Sequence, residues 1–464
     1  MKLAMEEEIK QNTPEGEQIK EGEMKTSMIR KGALLCSWAF FVAATLAVSA
    51  SATTWHVGPT RTYKTPCQAI AVAAEGDTIM IDYSPSTGPG VGYYDDTCAW
   101  TTNNLTLIGV RGPGGARPVL NCAGLKDTGN TGHLANWKGI WNPEGNNTVI
   151  KNLEFENARV SLADGANGAG IRQNGVNLTV VNCYFHDNQM GILESNIAGS
   201  NIVIRNSEFY HNGAYITPED VNNGYWGHNV YIGHCSSLVF EFNYSHDVAY
   251  GHLLKTRAAV NYILYNRITQ ETGTTTSIEV DIPNGGTSYV IGNEIQKAPK
   301  AGNQHMLEYL EEGTNTDNPG YDLYVVNNTF VNQYNSPSLV TFVNPASPAF
   351  PAWLQNNIFY GGGTVTTQAS SNLVDNYTVL NDPSMFVDFN KDNYHLSATT
   401  GSPPIDAGST PGNSPEGFTL VPVWQYVQEK NKSGYVECEQ PRTTVNVIDI
   451  GAYEFDGGGT PTCM

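Results

Sequence analysis

From about residue 147 the chain repeats itself. NTVIKNLEFENA, NLTVVNCYFHDN, NIVIRNSEFYHN and SLVFEFNYSHDV follow one another, then NYILYNRITQ, SYVIGNEIQKA, LYVVNNTFVNQ and AWLQNNIFYGG. Each unit is a short alternating β run, an asparagine-rich corner and one anchor residue. Phe155, Phe185, Phe209, Ser245, Ile268, Ile295, Phe330 and Phe359 hold the anchor position, at spacings of 30, 24, 36, 23, 27, 35 and 29 residues. A repeat of this length cannot bury an apolar face alone, so its units must stack. With only short β runs and no helical period, the pattern predicts an all-β solenoid. Its short parallel strands lie on those of the next coil about 4.8 Å away. Asparagine tolerates the left-handed corner and can hydrogen-bond along the stack. A propeller needs regular blades of about 40–50 residues, which this variable spacing does not supply. The expected fold is a right-handed parallel β-helix, a single-stranded solenoid.

The segments around the repeat read differently. MIRKG, the apolar run Ala33–Ala47 and Ala50-Ser51-Ala52 form the n-region, h-region and cleavage site of a signal peptide over 1–52, behind a long acidic leader. An apolar run of about 15 residues is short for a bilayer span, so no span is expected after cleavage. Residues 53–146 read as an N-terminal cap and first coils, 147–400 as the β-helix repeats and 401–464 as a C-terminal cap. The net charge is −20 and no basic cluster interrupts it, which argues against nucleic acid as a partner. A secreted, periplasmic or cell-surface monomer is expected. Exported cysteines pair, and Cys67–Cys98 and Cys438–Cys463 are the nearest partners by region. No C-x-x-C spacing suggests structural zinc.

A helical cap over the first coil is expected from CQAIAVAAEGDTIMID. With NNLTLIGV and the Asn-x-x-Phe coils, that entry resembles the pectate-lyase-like (pectin-lyase-like) right-handed β-helix proteins of bacteria. The tail, with Ile405-Asp406-Ala407-Gly408 and Asp449-Ile450-Gly451-Ala452-Tyr453-Glu454, resembles the choice-of-anchor segment of bacterial surface proteins. The first resemblance implies a polysaccharide, in the leading reading a uronate-containing one, as substrate, and β-elimination as chemistry.

A second strand precedes each repeat unit, and one of them, GHLLKTRA, places Lys255 and Arg257 two residues apart on one face. Aligning the apolar residues of neighbouring coils puts Val230, Leu254, Ile278 and Val280 inward. Asn229, Tyr231, Leu253, Lys255, Arg257, Glu279, Asp281 and Glu308 then face out. Elimination from a uronate requires a base for the C5 proton, a cation for the carboxylate and an acid for the leaving oxygen. Lys255 is the expected base, Arg257 the carboxylate binder or base, and Tyr231 or a nearby histidine the acid. Asp281 orients the cations, or holds calcium with Glu279 through oxygen ligands. Asn229, Glu279, Glu308 and Trp226 are expected to bind substrate. The insertions NGAYITPEDVNNGYWGHN and EEGTNTDNPGYD would wall a groove. Set against this is a solvated ion ladder with no chemistry. His228 and His252 read as core histidines, and His186-Asp187 and His246-Asp247 as repeated corners. Two alternatives to a lyase stay open: a glycoside hydrolase using paired carboxylates, and a carbohydrate-binding or adhesive surface solenoid.

Overall fold

A computed structural model describes residues 51–85, 92–123, 133–271, 275–313, 318–397, 402–426 and 439–455. The expected signal peptide, apart from Ser51 and Ala52, and the expected Cys438–Cys463 pairing lie outside them. Among the described residues, three all-parallel sheets of 12, 10 and 11 strands run the length of the unit that starts at Ser51. Each coil gives one strand to each sheet. His228–Ile232 lies in the ten-stranded sheet, Ser237–Glu241 in the twelve-stranded sheet and Tyr244–His246 in the eleven-stranded sheet. The chain is a parallel β-helix, with the right-handed winding that parallel crossovers overwhelmingly adopt.

The anchor residues form one ladder, paired in the order Phe155, Phe185, Phe209, Ser245, Ile268, Ile295, Phe330, Phe359. Phe155, Phe185 and Phe209 stack at 5.0 Å between successive ring centres. The twelve-stranded sheet adds a second inward ladder, from Ile150 through Val180, Ile204, Phe240, Ile263, Val290 and Val325 to Leu354. Alternation along each strand sends these side chains inward, and all are buried.

At the corner between these two sheets, Asn152, Asn182, Asn206, Asn327 and Asn356 adopt positive φ, as do Phe242 and Tyr265. The next residue in later coils is an asparagine inside the stack. Asn243, Asn266, Asn293, Asn328, Asn357 and Asn376 form a column in which each Oδ1 accepts a backbone N–H from the coil before, at 3.0 Å for Asn243 and 2.9 Å for the others. Each Nδ2 from Asn243 to Asn357 donates to the next Oδ1 and to a backbone carbonyl. Buried corner groups are thereby paired without water.

The helical cap is the five-residue helix Pro66–Ile70, which buries Ala69 and Ile70 against the first coils. Cys67 is disulfide-bonded to Cys98. The C-terminal segment was expected as an end cap; its observed contacts run along the flank of the stack. Tyr453 donates to Glu294 at 2.7 Å, Asn327 donates to the Asp449 carbonyl, and Trp424 meets Phe242 edge-on. Arg442 ties the segment together, bonding Glu454 and the carbonyls of Asp449 and Gly451. No helix of the described residues is long and apolar enough to cross a membrane.

Candidate functional site

The ten-stranded sheet brings four of the expected residues onto one ladder. Tyr231 pairs with Lys255, Lys255 with Asp281, Asp281 with Glu308 and Glu308 with Asn344. Residues more than a hundred positions apart in the chain thus share one outward column.

Lys255 Nζ donates to Asp281 Oδ2 at 2.6 Å, and the Asp281 side chain is fully buried. Burial works against the ammonium, and Arg257 adds repulsion. The charge of Asp281, with help from Tyr231, still holds the Lys255 pKa above the usual lysine value. Arg257 Nε donates to Tyr231 Oη at 2.8 Å. Its other nitrogens bond Asn284 Oδ1 and both oxygens of Glu312, the latter at 2.5 and 2.8 Å. Burial opposes this charge too, but Glu312 and Tyr231 raise the Arg257 pKa. Both cations also lie over the Tyr231 ring, 5.8 Å for Lys255 and 5.7 Å for Arg257. Tyr231 is therefore flanked by two fixed positive charges.

Two histidines close the buried end. His252 Nδ1 accepts the Ile278 N–H at 3.1 Å, so its proton sits on Nε2, 3.4 Å from Asp281 Oδ2. His228 accepts the His252 backbone N–H at 3.0 Å, and the two rings stack. Burial pushes both well below the usual histidine range, followed by His252 and Lys255 for His228 and by Lys255 and Lys297 for His252. They are neutral structural groups, as expected for core histidines.

Glu311 and Glu312 were anticipated only as part of a wall. Glu312 is the exposed partner of Arg257, and burial of its carboxyl is outweighed by that guanidinium, which lowers its pKa. Glu311 is exposed as a residue, but its carboxyl turns toward Asp281. Burial, then the charges of Asp281 and Glu308, push it up to about 9 and a hydrogen bond links it to Asp281. Glu308 accepts from Asn344 Nδ2 at 2.6 Å and pairs with His305. The sequence signal for this group was the acidic pair immediately after the strand His305–Tyr309.

Three expected positions are corrected. The coil register aligns His228 with His252 and Leu254 with Val280 and Leu307. It therefore puts Asn229, Leu253, Glu279 and Met306 in one column, and all four are buried. Bends at Leu253 and Glu279 break the alternation that would have sent them outward. Asn229 donates inside the corner to the carbonyls of Phe209 and His246 and to Ser245. Leu253 joins the core. Glu279 pairs with Lys297 at 2.9 Å, both fully buried; burial raises its pKa to about 7 despite the lysine. Glu279 therefore does not converge with Asp281, whose Oδ2 already meets Lys255 and His252. Trp226 stands partly exposed on the segment leading into His228–Ile232.

No protein-family model matches the chain, and neither does any curated protein. Among solved structures it is similar to pectate lyase Pel9A, at 14% identity and a TM-score of 0.49, covering 87% of this chain and 97% of that one. It is also similar to pectin methylesterase PemA from Erwinia chrysanthemi, at 12% identity and a TM-score of 0.32, covering 76% and 96%. The pectin methylesterase from Aspergillus niger gives 12% and 0.30, covering 72% and 86%. The solenoid assignment stands on this chain's own strand register, and no activity is carried over from these likenesses.

Proposed function

We propose that the outward ladder of the ten-stranded sheet binds a uronate-containing polysaccharide and cleaves it by β-elimination. The observation that carries the reading is the Tyr231 hydroxyl, held by Arg257 Nε at 2.8 Å with Lys255 on its other side. In the elimination, the C5 hydrogen leaves as a proton and its electron pair forms the C4–C5 double bond. The C4–O bond breaks, and the leaving oxygen takes up a proton. Arg257 would meet the uronate carboxylate and stabilise the charge that develops at C5. Lys255 adds to that field; Asp281 keeps it charged, so its role shifts from base to electrostatic support. Tyr231 acts as the phenolate: it takes the proton from C5 and becomes the phenol, while Glu311 gives its proton to the leaving oxygen. Glu312 occupies the guanidinium edge that a substrate carboxylate would use, and gives way when substrate binds.

Hydrolysis is the second reading, favoured by the protonated Glu311 beside Asp281 and Glu308. A carboxylic acid next to ionised carboxylates is what a glycosidase uses to protonate its leaving group. Incubation with a panel of polyuronates separates the two. Elimination yields an unsaturated product that absorbs in the ultraviolet, and hydrolysis yields shorter chains without it. Glycan binding with no shortening of any substrate would leave only the adhesive class.

A further inference from the structure

The outer face of the eleven-stranded sheet carries donors that the proposed chemistry does not use. Glu154 and Glu156 flank the core residue Phe155, so their side chains share the outward face. The next coil sets His186 directly opposite Glu156. His186 Nε2 faces both carboxylates, 3.1 Å from Glu154 Oε1 and 3.4 Å from Glu156 Oε2. One nitrogen and two oxygen donors thus lie within 4.8 Å of one another. The other ring nitrogen, Nδ1, is 2.8 Å from Asp187 Oδ2, and the second Asp187 oxygen is 2.6 Å from His211 Nδ1.

The spacing of this group is compatible with a metal ion, and a second comparison separates it from an ordinary ion network. A tetrahedral zinc-class ion with bonds of about 2.0–2.1 Å holds its ligands about 3.3 Å from one another. The observed 3.1 and 3.4 Å fall on either side of that spacing. The second comparison is the sister corner, where His246 meets Asp247 through Nδ1 and Glu208 through Nε2 at 3.1 and 3.2 Å. There Tyr210 stands opposite His246, in the place that Glu156 holds opposite His186. The His-Asp corner is thus built with one glutamate, and Glu156 is a donor beyond what the corner needs. A cavity of about 370 Å³, lined by Asn157, Asp187, His211, Tyr215 and Tyr250 among others, shares Asp187 with the group. The cavity thus reaches the supporting Asp187 and not the three donors themselves.

We propose that Glu154, Glu156 and His186 bind one divalent transition ion of the zinc class, with Asp187 as the positioning residue that fixes the imidazole. Carboxylate-held histidine is the usual outer support of such a ligand. Three protein donors leave a fourth position for water or another ligand. Calcium and magnesium, which want six or more oxygens, are poorly served by this set.

The test uses the chelator-stripped full chain, titrated with Zn²⁺ by calorimetry and with Co²⁺ by visible absorption. The expected result is one equivalent bound at micromolar affinity or better, with the intense visible band of four-coordinate cobalt. Asp187→Asn should weaken binding about 10–100-fold. Glu156→Gln should weaken it at least tenfold, and His186→Ala should abolish it. His246→Ala, at the sister corner, should leave it unchanged. If His186→Ala does not fold, the near-isosteric Glu156→Gln decides. Absence of stoichiometric binding overturns the proposal. So does binding that survives Glu156→Gln, or binding lost equally in His246→Ala.

Discussion

Arg257 spends its donors in three directions, on Tyr231, Asn284 and Glu312. A lysine in its place has neither the planar fork nor the reach to make all three. Arg257→Lys is therefore expected to lower kcat/KM on a polyuronate by at least tenfold, while unfolding by denaturant changes little. Glu311 sets a second expectation. As the proton donor it works below its pKa of about 9, so the rate should fall as pH rises through that value. Glu311→Gln should lower the rate and remove the alkaline limb, which a pH–rate profile would read. Lys255, Arg257, Tyr231 and Asp281 were legible because alternation holds across the stretch that carries them. Glu279 and Asn229 were not. Alternation fails where the strand bends, and the coils write that bend as adjacent inward positions, Leu253-Leu254, Glu279-Val280 and Met306-Leu307. The glutamate hid the pattern, because a charged residue reads as outward unless its partner, Lys297 on another sheet, is known.

At the scale of the element, the corners and the buried ion pair matter most. Asn293 Oδ1 accepts from Asn266, and its Nδ2 donates to Ile263 and Asn328. Asn293→Ala would leave these buried partners short, at about 1–3 kcal/mol for each group left unpaired. A loss of about 3 kcal/mol or more in denaturant unfolding is expected. Asn147→Ala, at an exposed corner, should cost far less. The asparagine column was readable from sequence because asparagine recurs two residues before each anchor from Ser245 to Phe359. Glu279 and Lys297 give the opposite lesson about charge. In the neighbouring coils the Glu279 position holds Leu253 and Met306, both core residues. Glu279→Met alone strands Lys297 and should destabilise by about 3–5 kcal/mol, whereas Glu279→Met with Lys297→Met should be neutral or stabilising. The sign with pH is fixed by the raised Glu279 pKa. The folded state holds that proton more tightly than the unfolded one, so the contribution is present below about 4.5 and lost as pH rises through about 7. The double variant should therefore gain on wild type across that window, by paired denaturation curves.

For the molecule as a whole, the stack makes neighbours of residues that the chain keeps far apart. Lys255, Asp281 and Glu308 lie at 255, 281 and 308 in sequence yet in adjacent rungs of one sheet. The period of the repeat was enough to foresee that convergence. The insertion that carries Glu311 and Glu312 has no period, so its fit against the ladder could not be read ahead. The tail's path along the flank escaped for the same reason. Its anchoring residues, Arg442, Tyr453 and Trp424, are set by contacts with coils far back in the chain. The central claim is that this ladder eliminates across a uronate linkage. Its most direct measurement is ultraviolet product formation from a panel of polyuronates by wild type, Tyr231→Phe and Arg257→Ala. The account predicts an unsaturated product from at least one substrate with wild type, and its loss in both variants. Undiminished product from either variant, or chain shortening without unsaturation, would contradict it.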